Sequence, residues 1–410
     1  MQRRKFLAAT GSTLAAGAIG SLVPGAARAA ASLWQPGELA AGAAASAVLE
    51  ALPGKAALIK RSYRAPNYET PINYFDTPFT PNNAFFVRYH LSNIPKVDVR
   101  AWRLKIGGAG ADKPYELDMT ALQRDFEHVE LAALCLCSGN RRGMFQPHVQ
   151  GVEWGVGAMG NARWKGVRLR DVLKKAGVKS GAIEVAFNGA DGPALPATAD
   201  FIKSIPVDKA LHEDTLIAWE MNGKPLPHFN GFPARVIVPG WTGTYWMKHV
   251  VDIDVRTSPQ GGFWMNPAYR LPTGRFPKAD PFPTQQNPTN TPITDIVISS
   301  LVTSIHDGAR VHVGQTVDVS GVAWDGGRGV RDVQVSTDAG QTWQAAKLGR
   351  DFGRYSFRQF SYRFKAAKEG VYLVMVKATN LRGDTQVMEL VHNPAGYHHN
   401  VVERIQVEAV

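Results

Sequence analysis

The pattern of hydrophobic and polar positions predicts a mixed domain between about residues 73 and 257. The segment HVELAALCLC, residues 128–137, is an almost unbroken apolar run, which is typical of a buried strand. The segment GVRLRDVLKKAG, residues 166–177, repeats apolar residues at helical spacing and closes with a glycine, which predicts a helix. ARVIVPG (234–240) and VVDIDVR (250–256) predict further strands. Together these signals indicate the α+β class.

Further along the chain the pattern changes to period two. The segments ARVHVGQTVDVSGVAW (309–324), VRDVQVSTDAGQTW (330–343) and GVYLVMVKATN (370–380) alternate apolar and polar residues and are separated by Asp- and Gly-rich turns. No helical pattern of any length interrupts them. This pattern predicts an all-β sandwich of immunoglobulin-like architecture.

The length of 410 residues and the change of pattern along the chain predict two domains. A proline-rich stretch, residues 275–292, marks the connection between them. We place the mixed domain at residues 71–285 and the sandwich at residues 286–410. Residues 31–70 are rich in Ala and Pro and are predicted to be a poorly structured lead-in.

The first 30 residues have the pattern of a twin-arginine export signal. The pair Arg3-Arg4 precedes a weakly apolar stretch, and Ala27-Arg28-Ala29 supplies a small-x-small cleavage site. The alternative is an uncleaved anchor, which the interrupting Gly, Ser, Thr and Pro residues disfavour. No other run is long and apolar enough to cross a bilayer. We therefore expect a periplasmic protein with no membrane span after cleavage, exported folded with a cofactor already inserted.

Charge narrows the class of partner only a little. The whole chain carries +11, and removing the four basic residues of the first 30, which contain no acidic residue, leaves +7. A basic surface attracts small anions, acidic proteins, membranes or nucleic acid. Export and the lack of a Lys/Arg run argue against nucleic acid. A small anionic substrate and an acidic redox partner remain compatible with this charge.

The two cysteines of the chain, Cys135 and Cys137, stand one residue apart in LCLCSGNRRG. Residues i and i+2 of a strand lie roughly 6.5 to 7 Å apart, at or beyond the limit for an unstrained disulfide. Two cysteines do not supply a four-cysteine zinc or iron–sulfur site, and no C-x-x-C-H motif attaches haem. For Cys137, which precedes a turn and the cationic pair Arg141-Arg142, packing or a reactive thiolate remain open. Cys135, inside the strand, is predicted to be a core residue.

The segment CSGNRRG, which begins at Cys137, resembles the C-A-G-N-R-R segment of the sulfite oxidase family of molybdopterin enzymes. Four other segments resemble family blocks in the same order. These are FFVRYHLSNIP (85–95), WKGVRLRDVL (164–173), the stretch from AWEMNGKPLP to MKHV (218–250), and NPAYRLP (266–272). The resemblance covers roughly residues 70–410, and it implies a molybdopterin-binding domain followed by a dimerisation-type sandwich.

The resemblance also implies roles for individual residues. Cys137 is the single protein ligand to molybdenum, a soft thiolate suited to a metal already held by the pterin dithiolene. Arg88, Arg142 and Tyr269 are the implied catalytic residues, which hold a doubly charged oxyanion by charge-assisted hydrogen bonds. The implied cofactor-binding residues are Phe86, Val87, Arg88, Tyr89, His90, Cys137, Asp191, Asn230, Arg235, Trp246 and Lys248.

Two positions depart from the pattern of animal and plant members. Tyr89 stands between Arg88 and His90 where those members have asparagine, and Asn230 stands where they have a histidine that contacts the pterin phosphate. Either Asn230 replaces that histidine as a donor, or His228, two positions earlier, swings in. Both departures resemble the bacterial branch, which contains exported sulfite dehydrogenases and sulfane dehydrogenase subunits.

The resemblance implies molybdenum-dependent oxidation of sulfite to sulfate. We expect no haem in this chain, so that electrons pass singly to a separate c-type cytochrome, and we expect either a homodimer or a complex with a cytochrome subunit. The alternative within the family is a sulfane dehydrogenase component of a thiosulfate-oxidising complex. From another class, a cofactor-free immunoglobulin-like binding module is the competitor, which the sandwich favours and the arginine-rich segments oppose.

Overall fold

Strands form most of the regular structure in the computed structural model, which describes residues 48–276 and 280–410. The predicted signal (1–30) and the first part of the lead-in (31–47) lie outside these residues. Sixteen strands of the described residues precede the sandwich. They are β1 (Val48–Ala51), β2 (Ala57–Ser62), β3 (Asn67–Glu69), β4 (Val87–Arg88), β5 (Leu104–Gly107), β6 (Tyr115–Leu117), β7 (His128–Leu136), β8 (Met159–Arg168), β9 (Glu184–Gly189), β10 (Ile202–Pro206), β11 (Leu216–Met221), β12 (Lys224–Pro225), β13 (Arg235–Ile237), β14 (Val250–Arg256), β15 (Arg270–Pro272) and β16 (Asn290–Pro292).

These strands form three main sheets and one short hairpin. The sheet orders are β1-β2-β3-β4, β10-β9-β14-β5-β6 and β12-β11-β8-β7, with β13 beside β11, while β15 pairs with β16. The longest pairing joins β7 and β8 in antiparallel register from His128↔Val167 to Leu136↔Met159. The apolar run that predicted β7 is confirmed, and its last four residues are buried.

Among the described residues, three short α-helices accompany the sheets: α1 (Met119–Arg124), α2 (Leu169–Ala176) and α3 (Val207–Ala210). Helix α2 confirms the helical spacing in the sequence, because its four apolar residues are all fully buried. Each of the Leu and Val side chains among them contributes roughly 1.5 to 3 kcal/mol when buried. The helix ends at Gly177, whose φ of 70° is a conformation that glycine adopts without steric cost.

The predicted lack of structure in the lead-in is wrong for residues 48–69. Strands β1–β3 pair in sequence, and β3 pairs in turn with β4, with Asn67 opposite Arg88. Leu58 and Tyr68 are fully buried on this sheet and pack with Val87 and Tyr89. The strands are short and have no clear period-two pattern, so their stability comes from this tertiary packing, which sequence periodicity does not report.

The second domain confirms the predicted sandwich, and residues 280–410 contain no helix. Its two sheets have the orders β17-β19-β23-β22 and β18-β25-β24-β20-β21. Valine, alanine and phenylalanine side chains from both sheets meet in one shared core. The strands are β17 (Ser299–Val302), β18 (Ala309–Val311), β19 (Thr316–Trp324), β20 (Val330–Ser336), β21 (Gln344–Ala345), β22 (Lys347–Leu348), β23 (Arg358–Lys365), β24 (Gly370–Asn380) and β25 (Glu403–Ala409).

The two domains share a buried contact. Leu134 and Met159 of the first domain pack with Leu301 and Trp324 of the sandwich in a separate apolar cluster. The fully buried guanidinium of Arg141 crosses the same boundary and donates from Nη2 to the Ser300 carbonyl at 2.7 Å. The loop that follows β7 is therefore fixed by both domains. Within the described ranges, no helix has the length and apolar character needed to span a membrane.

Candidate active site

Strand β7 delivers both cysteines to one cavity. Because alternate residues of a strand share a face, Cys135 and Cys137 point the same way, and both line this cavity. Cys137 continues the pairing with β8 by one residue, since its backbone N–H donates to the Ala158 carbonyl at 2.9 Å. Burial raises the pKa of Cys135 to about 11, so this thiol stays protonated at neutral pH.

Gly243 forms part of the cavity wall beside Cys135. A Cβ atom at this position would lie 3.1 Å from the Cys135 sulfur and 3.2 Å from the Leu136 carbonyl oxygen. Glycine therefore lets the short 3-10 turn Gly243–Tyr245 approach the end of β7 closely. This approach places Thr244, the next residue, in the cavity lining.

The cavity brings together most of the predicted site residues. It encloses about 650 Å³ of empty space, part of which opens to solvent. Its lining includes Phe86, Arg88, Tyr89, His90, Cys137, Asp191, Asn230, Arg235, Trp246, Lys248 and Tyr269. These residues come from β4, the end of β7, β13 and segments near β9 and β15, so the cavity brings distant parts of the chain together.

Two predicted residues lie outside this lining. Val87 is fully buried in the small cluster with Leu58 and Tyr68, because its side chain points to the opposite face of β4 from its neighbours. The Arg142 guanidinium donates from Nε to the Ala395 carbonyl at 2.9 Å and from Nη1 to the Val152 carbonyl at 3.2 Å. Arg142 thus supports the site from behind the wall instead of lining it.

His90 and Tyr269 form a hydrogen-bonded pair through Nε2 and the phenol oxygen. The His90 ring stacks on Phe201 with centroids 3.7 Å apart. Burial, then the positive charge of Arg88, holds the pKa of His90 well below its usual value, so its imidazole is neutral. Burial likewise raises the pKa of Tyr269, which keeps the phenol protonated. The pair therefore presents neutral hydrogen-bonding groups beside a fixed positive charge.

The Arg88 side chain is held by the N-terminal sheet. One guanidinium nitrogen donates to the Asn67 side-chain oxygen at 3.1 Å and also contacts the Tyr89 carbonyl. Asn67 lies opposite Arg88 in the β3–β4 pairing, so strand register sets the position of the guanidinium. This segment, which the sequence pattern assigned to the lead-in, therefore orients a predicted catalytic residue.

Two further basic residues of the cavity, Arg235 and Lys248, lie next to Gly231. Arg235 donates from Nη1 to the Asn230 carbonyl at 2.9 Å and from Nη2 to the Trp246 carbonyl at 3.1 Å. Lys248 donates from Nζ to the Arg88 carbonyl at 2.7 Å. Gly231 has a φ of 112°, and a Cβ there would lie 3.1 Å from the Arg235 Cβ and 3.2 Å from the Lys248 Cβ. Glycine therefore lets the backbone at this turn pass close to the first side-chain carbons of Arg235 and Lys248.

The basic residues that line the cavity outnumber the acidic ones. Burial drives the pKa of Lys248 well below its usual value, and the Asp191 carboxylate opposes that shift. Burial also raises the pKa of Asp191. Among the described residues that line the cavity, Asp191 is the only carboxylate against Arg88, Arg235 and Lys248. An anionic ligand would relieve the cost of burying these unbalanced cations.

The structure distinguishes between Asn230 and His228. Asn230 is buried, lines the cavity and donates from Nδ2 to the Phe86 carbonyl at 3.0 Å. His228 is not part of the lining, and its ring lies beside Phe229 and His249 instead. Asn230 therefore lies in the cavity wall next to Arg235.

Two residues that sequence reasoning missed pack directly on Tyr269. Tyr397, from the sandwich, stacks on its ring with centroids 5.7 Å apart and an interplanar angle of 15°. Lys203 is buried, donates to the Trp264 carbonyl at 2.7 Å and places its ammonium 5.0 Å from the centroid of the Tyr269 ring. Neither residue lies in a periodic or motif-like segment, so only the tertiary structure reveals the contact.

The cavity fits a metal-bound pterin in its chemistry. The hydroxyl oxygens of Ser138 and Thr244 are buried in its wall, and the residues described offer neither of them a hydrogen-bond partner. Buried polar groups of this kind are normally satisfied by a polar ligand or water. No group of three or more His, Cys, Asp or Glu able to hold a metal ion occurs in the described part of the chain. A metal at Cys137 would therefore take one thiolate from the protein and its other ligands from a cofactor.

Comparison with known proteins identifies the class. Residues 90–264 match the family described as "Oxidoreductase molybdopterin binding domain", and residues 290–410 match the "Mo-co oxidoreductase dimerisation domain". The protein is thus a molybdopterin oxidoreductase. Sulfite oxidase of Arabidopsis thaliana is 31% identical over 295 residues, an alignment that covers 69% of this chain and 73% of the plant protein. The chain belongs to the sulfite oxidase family.

Two other comparisons frame its function. Mitochondrial sulfite oxidase of Homo sapiens is 36% identical over 300 residues, which cover 71% of this chain and 53% of the human protein. The chain therefore spans about half the length of this mitochondrial relative. The crystal structure of the sulfane dehydrogenase SoxCD from Paracoccus pantotrophus superposes with a TM-score of 0.72 at 25% identity, covering 85% of each chain. These similarities support molybdenum-dependent oxidation of a sulfur compound.

Proposed function

We propose that the protein oxidises sulfite to sulfate in the periplasm and passes the electrons one at a time to a separate c-type cytochrome. The observation that carries the proposal is one cavity that combines the Cys137 thiol, the Arg88 guanidinium and the His90–Tyr269 pair. Sulfite is a compact anion with three oxygen acceptors. The cavity offers it one fixed positive charge and two neutral hydrogen-bonding groups.

In this proposal the residues of the chain bind and orient, while the redox chemistry belongs to the cofactor. Bound molybdopterin supplies a metal that exchanges an oxygen atom and two electrons. Cys137 holds that metal through its sulfur, and Arg235 and Lys248 offset the charge of the pterin phosphate. Arg88 and Tyr269 hold the substrate oxygens. Because these groups are buried, their interactions with the anion are stronger than they would be in water.

A sulfane dehydrogenase is the second candidate function. The superposition on the SoxCD structure, with 85% of each chain covered, favours it. A larger sulfur substrate has to reach Cys137 through the open part of the cavity. This alternative keeps the same cofactor and the same cytochrome class of acceptor, and it differs only in substrate.

The test is an electron-transfer assay with purified holoenzyme. Molybdenum and pterin content are measured first, and reduction of added cytochrome c is then followed with sulfite and, separately, with a persulfide-carrying substrate. Rapid reduction by sulfite supports the first function. Reduction by the persulfide substrate alone replaces it with the second. A protein that contains no bound pterin and reduces cytochrome c with neither substrate contradicts both functions.

Export and assembly have separate tests. Replacing Arg3 and Arg4 together with lysine is expected to leave the precursor inside the cell, because the export receptor reads the arginine pair. Normal periplasmic recovery of that double variant would rule out the twin-arginine route.

The match of residues 290–410 to a dimerisation domain supports a homodimer, which light scattering of the purified protein measures.

A further inference from the structure

A buried lysine from the N-terminal sheet reaches the cationic end of the cavity. Lys55 lies in the turn between β1 and β2, after Gly54 with its φ of 74°. Its side chain points inward, and the residue is 8% exposed. The ammonium donates to the Asn82 carbonyl and to the Asn230 side-chain oxygen, each at 2.8 Å. In the described part of the chain no carboxylate lies within ion-pair distance of Lys55.

The contact with Lys55 determines how the Asn230 amide is turned. An ammonium group can only donate hydrogen bonds, so the Asn230 oxygen has to face it. The amide nitrogen then faces the other way, where it donates one hydrogen to the Phe86 carbonyl at 3.0 Å. An amide nitrogen carries two hydrogens. Since Asn230 lines the cavity, the second hydrogen is available to a bound ligand.

The surrounding charges indicate what kind of ligand that is. The Asn230 carbonyl accepts from Arg235, and Arg235 and Lys248 both line the cavity beside the adjacent Gly231. Lys55 adds a third buried cation behind them. A buried charge is stable only when paired, and a phosphate monoester carries a charge of about −1.5 to −2 near neutral pH. The phosphate end of the pterin is such an anion.

We propose that Lys55 is a positioning residue for the cofactor phosphate, because it fixes the Asn230 amide as a hydrogen-bond donor and adds a positive charge behind it. The inference rests on the function proposed above. Burial lowers the pKa of Lys55 to about 7, and a bound phosphate would raise it again and keep the ammonium charged. Cofactor binding and the protonation of Lys55 therefore support each other.

The test compares cofactor retention in the holoenzyme with and without this donor. Lys55→Met keeps the length of the side chain and removes its hydrogen bonds. We expect its melting temperature to stay near that of the wild type, while molybdopterin leaves it about tenfold faster during dialysis, since one charge-assisted contact is lost. Released pterin is measured by the fluorescence of its oxidised form. Lys55→Arg, which can only donate, is expected to restore retention at least partly.

A matched control separates positioning from general loss of a buried lysine. Lys209 is also largely buried, but it pairs with Asp280 at 3.5 Å and does not line the cavity. Lys209→Met is expected to release the cofactor at the wild-type rate. If Lys55→Met also releases it at the wild-type rate, the proposal for Lys55 is wrong. A wild-type protein that contains no pterin would instead contradict the proposed function itself.

A second variant keeps the proposal testable if Lys55→Met does not fold. Asn230→Asp preserves the side-chain shape and still accepts from Lys55, but it cannot donate to the phosphate. We expect this variant to fold and to release the cofactor at least about tenfold faster than the wild type. Unchanged release from folded Asn230→Asp would overturn the proposal.

Discussion

At the scale of single residues, the two cysteines show that an identical side chain takes different roles two positions apart. Both face the cavity, but Cys135 lies against the turn at Gly243 and burial holds its thiol protonated. Cys137 stands where the strand opens into the following loop. Of the two cysteines, only Cys137 therefore lies at the start of the loop, where we expect the metal ligand.

We expect Cys137→Ser to abolish sulfite oxidation while the pterin stays largely bound, because the hydroxyl is a poor ligand for a soft metal site. Cys135→Ser is expected to keep most of the activity. Turnover with sulfite, normalised to pterin content, measures both effects. Equal losses in the two variants would mean that the metal ligand has been misassigned.

Arg88 lines the cavity, whereas Arg142 does not. Arg88→Gln is expected to raise KM for sulfite by about ten- to a hundredfold, since a charge-assisted contact contributes roughly 1.5 to 3 kcal/mol. Arg142→Gln is expected to have a smaller effect, because Arg142 does not line the cavity and its guanidinium donates to the carbonyls of Val152 and Ala395. Steady-state kinetics on fully loaded enzyme tests this order, and the reverse order would place Arg142 in the substrate pocket.

At the scale of elements, the helices and strands with a clear hydrophobic pattern could be predicted from the sequence. Helix α2 and strand β7 were predictable because each buries its apolar residues along one face or one run. Strands β1–β3 were missed because they are short and are stabilised by pairing with β4. The positions of Lys55 and Tyr397 were not predictable either, since their roles depend on contacts with Asn230 and Tyr269 that lie far away in the chain.

The segment between the two domains carries a carboxyl group with an unusual pKa. Burial, then repulsion from Asp280, raises the pKa of Asp295 to about 7. The folded protein therefore holds this proton at pH values where the unfolded chain, with the ordinary value of 3.8, has lost it. The contribution of Asp295 to stability is present below about pH 4 and is lost progressively as the pH rises towards 7.

We expect Asp295→Asn to be similar in stability to the wild type at about pH 4 and increasingly more stable as the pH rises to 8, where the difference reaches roughly 2 to 4 kcal/mol. The reason is that asparagine resembles the protonated acid and never carries the buried charge. Thermal unfolding of both proteins across this pH range measures the difference. A difference that does not grow with pH would show that Asp295 ionises normally, and Asp318→Asn, at an exposed site, serves as the control.

At the scale of the whole molecule, Arg141 joins the two domains directly beneath the active-site loop. Its guanidinium donates to the Ser299 hydroxyl at 3.2 Å and to the Ser300 carbonyl at 2.7 Å, and its φ of 68° turns the loop at this point. The loop that begins with Cys137 therefore depends on the sandwich for its shape, although its sequence lies entirely in the first domain.

We expect Arg141→Met to lower the unfolding free energy by about 2 to 4 kcal/mol, because two buried hydrogen bonds to a charged group are lost. Pterin content is expected to fall with it, since the loop loses its support. Denaturant unfolding and pterin fluorescence measure the two effects. Arg331→Met, which removes an exposed ion pair with Asp332, is the matched control and is expected to change stability by less than about 1 kcal/mol.

The contact between Arg142 and the Ala395 carbonyl joins residues 253 positions apart. Contacts of such long sequence separation form late, because the loop-closure entropy must be overcome before they contribute. While the chain is still being synthesised, the wall behind Tyr269 lacks Tyr397 and the loop after Cys137 lacks its anchor in the sandwich. The pocket thus matures only after the ribosome has released almost the whole polypeptide. We therefore expect cofactor insertion to require the finished chain, and a protein interrupted shortly before residue 395 to have an incomplete pocket.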